Sequence, residues 1–405
     1  MKSYMLTPFQ RQTYDYWKLD PDDDTLVIGR AHWLNYDTDV EELVAEAERL
    51  IALLWVLHAR VAEIGGELRL IYDPGVNPEV ELLYVSEEEA DDIIDHQHYL
   101  LDLNQGPLAH FQIIVSPTRK FFRSSISNML CDGWSISRIS NRIPIGTMHH
   151  WTSITEEQNS FTDYLEQLEE LRKSTRFERD RDWWIAYMEG IDQLTDFAVK
   201  DEYEVGRVVL KQRIYDSAIL DAASQRNRIS IVEALLTAWA MALRDMTSAS
   251  ETLNSISFIT LNRGRTKQQL EVLGNFLVEK ALRIDITAED TPVQVLEKVR
   301  HANFVTNLHS LFTEQDLEPY IGDSDRGTCV LFNEGMDHTE SWVDGIVPSP
   351  RYPEPSETSE FICGILWGRG DRYELEVTYS EPLYREEDVD RFVERFDHWF
   401  CEILK

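Results

Sequence analysis

The chain has 405 residues, more than one ordinary domain needs, and its hydrophobic content of 43% allows large packed cores. Its 73 acidic and 39 basic side chains give a net charge of −34, which argues against nucleic acid or an anionic membrane surface as a partner. No apolar run reaches the roughly 18 residues of a membrane-spanning helix, so no membrane association is predicted.

Two features favour a cytoplasmic location. The N-terminal stretch MKSYMLTPFQRQTYDYW lacks the apolar region of a signal peptide. The cysteines lie far apart and form no CxxC pair, which predicts reduced thiols and neither a disulfide framework nor a zinc site. These cysteines are Cys131, Cys329, Cys363 and Cys401.

The first half of the chain alternates between strand-like and helix-like patterns. A strand-like run over 25–35 precedes a capping box made by Thr38 and Glu41, and apolar residues at helical spacing follow. Gly65 and Gly66 lie between two apolar runs, which predicts a hairpin with a tight turn.

Further along, two strand-like runs cover 109–115 and 120–130, and the second ends in the stretch SNMLCDGWS. A helix is predicted to start over 135–142. The segment 161–187 is rich in aromatic and charged residues, and we interpret it as a helix that joins the two halves.

The second half repeats this mixture of strands and helices. Ser230 with Glu233 forms a capping box, and Thr291 followed by Pro292 is a helix N-cap before a first-turn proline. The predicted strands are 204–215, 255–261, 328–333, 361–367 and 373–379, and an amphipathic helix is predicted over 386–404.

This repetition predicts an α/β protein made of two related lobes, each with helices layered on a sheet (an α+β two-layer arrangement). We place the lobes at 1–170 and 171–405.

Seven short motifs occur in a fixed order along the chain. They are LTPFQRQTYDYW at 6–17, LDL with GPL at 101–108, SNMLCDGWS at 127–135, FERDRDWWIAYMEG at 177–190, NR at 262–263, GNF at 274–276 and LR at 282–283. Together they resemble the condensation domains of nonribosomal peptide synthetases, within the chloramphenicol-acetyltransferase-like superfamily. In that family the third motif reads HHxxxDGWS, and the last two belong to a block that reads G-x-F-x-N-x-L-x-L-R.

The resemblance implies two chloramphenicol-acetyltransferase-like lobes in a V with a central tunnel. Thioesters carried on phosphopantetheinyl carrier proteins enter from opposite faces, one bringing an acyl donor and the other an amine acceptor. It implies no bound cofactor and no metal. Peptidyl or acyl carrier proteins, or other synthetase modules, are the implied partners.

The motif residues carry over one by one. Asp132 and Gly133 are intact, and the resemblance implies that Asp132 pairs with an arginine, for which Arg263 is our candidate. The glycine allows a tight turn and brings an N–H close to the substrate. Ser135 either donates near the loop or caps a helix.

The two motif histidines are replaced by Ser127 and Asn128. A carboxamide cannot take up a proton at neutral pH, so general-base catalysis, typically worth about 10²–10⁴-fold, is lost at this position. It can still accept a hydrogen bond from an amine and hold that amine in place. The predicted catalytic residues are therefore Asn128, Asp132 and Gly133, and the predicted substrate-binding residues are Ser127, Trp134 and Ser135. In the last block, Val278 stands where the family has asparagine.

Other residues were weighed as replacements for the histidines. Cys131 is a conceivable nucleophile, although a small residue at a strand end is expected to be buried and inert. His149 and His150 lack a following Asp-Gly and are expected to be solvated. His338 with Ser341 has no strand–turn context for a triad. No metal-ligand spacing or phosphate-binding glycine loop occurs.

Three functions stay open. The first is a condensation-type acyltransferase that joins a carrier-bound acyl or aminoacyl thioester to an amine, or runs a variant reaction in the same tunnel. The second is a catalytically inactive condensation-like module that binds carrier proteins or recruits a tailoring enzyme. The third, a stand-alone acyltransferase that uses coenzyme A, fits less well because that branch keeps the catalytic histidine.

Overall fold

In the computed structural model the chain folds into two compact units. The first holds the chain up to Lys173 together with 264–277, and the second holds Ser174–Asn262 and the described residues from Val278 onward. The structure describes residues 2–22, 26–96, 99–136, 138–139, 159–191, 208–246, 254–262, 264–270, 272–321, 328–333, 362–369, 372–380 and 384–405.

Two sheets form the described framework of the first unit, a three-stranded one in the order β1-β4-β3 and a four-stranded one in the order β2-β7-β6-β5. The strands are β1 (Ser3–Met5), β2 (Val27–Leu34), β3 (Ala59–Ile64), β4 (Glu67–Tyr72), β5 (Val80–Tyr84), β6 (Ala109–Val115) and β7 (Lys120–Ser127). The helices are α1 (Pro8–Leu19), α2 (Val40–Leu53), α3 (Glu87–His96) and α4 (Asn159–Arg172), with a short 3₁₀ helix over Trp55–His58.

Strands β6 and β7 form the buried centre of the four-stranded sheet. They pair antiparallel, with Ile113 opposite Phe122 and Ala109 opposite Ile126, and these apolar side chains join the core of the first unit. Because side chains alternate along a strand, the same register puts Ser125 and Ser127 on the other face. Strand β7 ends at Ser127, so the SNMLCDGWS stretch forms the turn that leaves this sheet.

The described part of the second unit contains one six-stranded sheet, in the order β10-β9-β11-β12-β13-β8. Its strands are β8 (Val208–Asp216), β9 (Ile256–Asn262), β10 (Val278–Ile284), β11 (Thr328–Asn333), β12 (Ile362–Arg369) and β13 (Arg372–Ser380). The helices are α5 (Thr175–Met188), α6 (Ser217–Asn227), α7 (Ile231–Met246), α8 (Pro292–Leu308), α9 (Glu314–Ile321) and α10 (Glu386–Leu404).

Helix α7 lies at the centre of the core of the second unit, with Leu235, Trp239 and Leu243 fully buried. Trp239 packs directly over β12, where a Cβ atom added to Gly364 would lie 2.5 Å from the indole ring. Only glycine at this position lets the helix approach the strand so closely.

Most predicted helix starts are confirmed, and two details are wrong. Ser230 with Glu233 and Thr291 with Gln294 form the capping boxes of α7 and α8. Helix α2, however, is capped by Asp39 and not by Thr38, because the Asp39 carboxylate accepts from two backbone N–H groups of the first turn.

The single helix predicted over 161–187 is also wrong. It is broken into α4 and α5, because the hydroxyl of Ser174 accepts from the backbone N–H of Arg176 and starts a new helix.

The chain crosses between the units more often than a single boundary after residue 170 would require. It leaves the first unit after Lys173, and it returns there for 264–277. The strands on either side of that excursion, β9 and β10, are direct antiparallel neighbours in the second unit. Among the helices that the structure describes, none combines the length and the apolar composition needed to cross a bilayer.

Candidate functional site

The motif turn starts where β7 ends and is fixed by backbone hydrogen bonds to its neighbours. The N–H of Ser127 donates to the carbonyl oxygen of Leu108 at 3.0 Å, and the N–H of Asn128 donates to that of Leu26 at 2.8 Å. The Ser127 hydroxyl accepts a hydrogen bond from the N–H of Met129 at 3.1 Å. The backbone carbonyl oxygen of Ser127 accepts one from the N–H of Leu130. The strand end and the turn therefore form one rigid stretch.

Asp132 and Arg265 form a buried ion pair next to this turn. The Nη2 atom of Arg265 lies 2.8 Å from both carboxylate oxygens, and Nε lies 3.1 Å from Oδ2. The two side chains are only 3% and 1% exposed. The guanidinium also lies 4.2 Å from the ring centroid of Phe276. Paired in this planar geometry, both charges are compensated inside the protein.

The pairing arginine differs from our candidate. Arg263 lies outside the described residues, and the guanidinium that contacts Asp132 belongs to Arg265, two positions further on. Its remaining N–H groups donate to the carbonyl oxygens of Gln269 and Val272. Arg265 thus holds its own loop in a fixed shape while it contacts the motif aspartate.

Of the two roles that the sequence left open, Ser135 takes the donor role and does not cap the helix. Its N–H donates to Asp132 Oδ1 at 2.9 Å, so Asp132 caps the helical turn that begins at Gly133. The Ser135 hydroxyl donates to the carbonyl oxygen of Gly274 at 2.9 Å and accepts from its N–H at 3.1 Å. Because Ser135 is buried and saturated in this way, its contacts are structural.

Gly274 allows the two loops to meet. A Cβ atom on this residue would lie 2.4 Å from a ring carbon of Phe161, closer than any real contact. The glycine carbonyl also accepts from the N–H of Asp132 at 3.2 Å. The G-N-F motif therefore brings its backbone against the motif turn.

Two buried carboxamides hold successive carbonyls of the turn, and sequence reasoning missed both. Asn275 donates from Nδ2 to the carbonyl oxygen of Asn128, and Gln10 donates from Nε2 to that of Met129 at 2.7 Å. Both amides are 0% exposed. Gln10 lies in the opening motif and Asn275 lies in the G-N-F motif. Neither sequence pattern, however, indicates a contact with the turn.

Asn128 has a fixed backbone and an unused side-chain oxygen. Its N–H and its carbonyl are both hydrogen bonded, but Oδ1 is buried and accepts no hydrogen bond from the described residues. An unsatisfied buried acceptor typically costs about 1–3 kcal/mol. This oxygen therefore keeps the capacity to accept one further hydrogen bond.

The other predicted substrate-binding residues differ from one another. Ser127 is only 1% exposed, so its hydroxyl supports the turn. Trp134 is half-buried, and its indole N–H donates to the carbonyl oxygen of Leu270 at 2.8 Å. The guanidinium of Arg138 stacks on the Trp134 ring at 5.4 Å from its centroid.

The titratable groups described around the turn are poor bases or nucleophiles. Burial, reinforced by the charge of Asp132, raises the pKa of the Cys131 thiol far above its ordinary value, so Cys131 is the inert core residue that we expected. Burial also raises the pKa of Tyr164 to about 12. Asp132 itself is committed to Arg265.

The remaining candidates, His149, His150, His338 and Ser341, fall outside the described residues. Over the described ranges, no cluster of histidine, cysteine or carboxylate side chains has the arrangement of a metal site.

Known proteins resemble this chain over its whole length. The model of the condensation-domain family matches residues 1–405. Surfactin synthase subunit 2 of Bacillus subtilis (strain 168) is 20% identical over 407 residues, which cover 97% of this chain and 11% of the synthase. Tyrocidine synthase 2 of Brevibacillus parabrevis is 21% identical over 384 residues, which cover 91% of this chain and 10% of the synthase. The chain thus spans about a tenth of the length of these relatives.

Solved structures share the fold. The epimerization domain from the third module of tyrocidine synthetase B matches with a TM-score of 0.77 and 15% identity, over 99% of this chain and 97% of that domain. A second match is the first condensation domain of the calcium-dependent antibiotic synthetase, solved in complex with a substrate analogue. Its TM-score is 0.73 at 17% identity, and the match covers 100% of this chain and 96% of that domain. The predicted mixture of helices and sheets is confirmed by these two-lobed structures. The chain belongs to the condensation-domain family of nonribosomal peptide synthesis.

Proposed function

We propose that this domain joins a carrier-bound acyl or aminoacyl thioester to an amine without a general base. The amine acceptor would be held by the carboxamide of Asn128. Substrates would arrive on the phosphopantetheinyl arms of carrier proteins, and no bound cofactor would be needed.

The observation that carries this proposal is the unused oxygen of Asn128. The backbone of this residue is fixed on both sides, by Leu26 and by Asn275, yet within the described part of the chain its buried Oδ1 accepts no hydrogen bond. The N–H of an acceptor amine would satisfy it. Orientation alone can supply a large part of the acceleration of a reaction between two molecules.

The chemistry permits a reaction without a base. A neutral amine attacks the thioester carbonyl with its own lone pair, and the C–S bond breaks as the amide forms. Losing the base typically costs about 10²–10⁴-fold in rate, so we expect a slow enzyme. The buried pair of Asp132 with Arg265 supports this view, because it keeps the turn rigid around Asn128.

A second candidate is a catalytically inactive module that binds carrier proteins or recruits a tailoring enzyme. It is favoured by the raised pKa values of Cys131 and Tyr164, which make neither side chain a base or nucleophile at neutral pH. The contacts of Asp132, Arg265 and Ser135 are also what a structural role requires.

The decisive experiment is reconstitution with loaded carriers. A donor carrier and an acceptor carrier, each charged with one of a panel of amino acids, are incubated with the domain, and the acceptor is followed by mass spectrometry. We expect a dipeptidyl product whose rate falls at least about tenfold in Asn128→Ala. The matched control is Gln105→Ala, an exposed amide outside the motif turn, which should leave the rate unchanged.

Restoring the base separates the two candidates. If the site is otherwise competent, Asn128→His should raise the rate by about 10²–10⁴-fold. Absence of product from both the parent and Asn128→His would overturn the catalytic proposal. Capture of carriers by a protein that forms no product would then support the inactive module.

A further inference from the structure

Lys280 is a buried amine in the second unit that the proposed condensation does not use. It lies on β10 and is only 5% exposed. In the block that reads G-x-F-x-N-x-L-x-L-R, the first leucine falls on this position when Gly274 is aligned with the first glycine. A lysine has therefore replaced an apolar side chain inside a core, which calls for a physical explanation.

Carboxamides surround this amine. Its Nζ donates to Asn303 Oδ1 at 2.5 Å and to Asn307 Oδ1 at 2.8 Å, and Asn262 donates from Nδ2 to the same oxygen of Asn307 at 3.0 Å. The neighbouring carboxylate, Glu279, instead accepts from Gln315 of α9. None of the described carboxylates forms an ion pair with Lys280.

This geometry suits the neutral amine better than the ammonium ion. An ammonium group has three N–H donors, and the described residues offer Lys280 only two acceptors. A neutral amine has two N–H donors, which the oxygens of Asn303 and Asn307 satisfy, and its lone pair stays unshared. Burial acts in the same direction and lowers the pKa of Lys280 to about 8.

The amine also lies close to the surface. Asn303 is half-buried and Asn307 is exposed, so Nζ is one side chain away from solvent. A small electrophile that displaces the Asn307 side chain would reach it.

We propose that Lys280, held by Asn303 and Asn307, is a reactive amine that accepts acyl groups from thioesters. The lone pair of Nζ attacks the thioester carbonyl carbon, the C–S bond breaks, and the proton lost by the amine goes to the departing thiolate. The products are an Nζ-acyl amide and a free thiol. This reactivity does not depend on Asn128, so it is independent of the proposed condensation.

The test is competitive labelling of the intact domain with acetyl-N-acetylcysteamine, a small thioester, at pH 7.5. Remaining lysines are then acetylated with deuterated reagent after unfolding, and peptide mapping gives the reactivity of each lysine. We expect Lys280 to be acylated at least about tenfold faster than the exposed Lys267, because far more of it is neutral. Labelling no faster than that of Lys267 would overturn the proposal.

A matched variant tests the cluster itself. In Asn307→Asp a carboxylate replaces an isosteric amide at an exposed position, where it should not disturb folding, and it favours the charged lysine. Labelling of Lys280 should then fall at least about tenfold, to the level of Lys267 or below. Labelling of this variant at the parent rate would also contradict the proposal. Asn128→Ala should leave the labelling unchanged.

Discussion

The guanidinium of Arg265 lies 2.8 Å from both carboxylate oxygens of Asp132, although the two residues are 133 positions apart in the chain. The contact joins two loops that belong to the same unit. Each partner has a buried charge that only the other compensates within the described surroundings.

Removing Arg265 should therefore destabilise the fold strongly. In Arg265→Leu the Asp132 carboxylate stays buried without its counter-ion, and we expect a loss of about 3–5 kcal/mol in the free energy of unfolding, measured by urea denaturation. Arg11→Leu is the control, because the Arg11–Asp15 pair is exposed and should contribute no more than about 1 kcal/mol. Equal losses of unfolding free energy in the two variants would show that the buried pair stabilises the fold no more than an exposed pair does.

Gly274 should not tolerate a methyl group. In Gly274→Ala the new Cβ atom would lie 2.4 Å from the Phe161 ring, and we expect a loss of about 1–3 kcal/mol from overpacking. The control is Gly29→Ala, where the nearest atom, Ser125 Oγ, is 4.0 Å away. Thermal unfolding of both variants checks this. If Phe161→Leu in the same chain fails to relieve the loss, the steric explanation is wrong.

Cys131 should be chemically silent in the native protein. Burial raises the pKa of its thiol and shields it, so iodoacetamide at pH 8 should label Cys131 at least about a hundredfold more slowly than in urea. The half-buried Cys363 provides an internal comparison. Rapid native labelling of Cys131, followed by loss of product formation, would reinstate it as a nucleophile.

The charge of Lys280 should make stability depend on pH. Its pKa is about 8 in the folded protein and about 10.4 in the unfolded chain, so between these values the unfolded chain binds more protons and stability rises with pH. Below pH 8 the cost of the buried charge is fully present, at roughly 3 kcal/mol. Relative to Lys280→Met, the parent should therefore gain stability between pH 8 and 10.4. Parallel unfolding curves for the two proteins across this range would contradict the lowered pKa.

The sequence predicted several of the helix starts correctly. The capping box at Ser230 and the N-cap at Thr291 formed as predicted, because a hydroxyl or carboxylate reaches only a few residues along the chain. The break at Ser174 was missed, because aromatic and charged residues continue at helical spacing on both sides of it.

The sequence patterns did not predict which residues contact each other over long sequence separations. The motif indicated that an arginine pairs with Asp132, but Arg263 and Arg265 are two positions apart and only the path of the loop decides between them. For the same reason no spacing could show that Gln10 reaches the carbonyl of Met129 across 119 positions. No sequence pattern singled out Lys280, because its hydrogen-bond acceptors Asn303 and Asn307 lie on a different element.

The return of 264–277 to the first unit has a consequence for how the protein is made. Ribosomes add about 5–20 residues per second, so Arg265 is synthesised on the order of ten seconds after Asp132. During that interval the nascent first unit carries an aspartate whose partner has not yet been translated. Completion of the first unit must therefore wait until the chain through Leu277 has emerged, and residues 174–262 of the second unit are translated before that point.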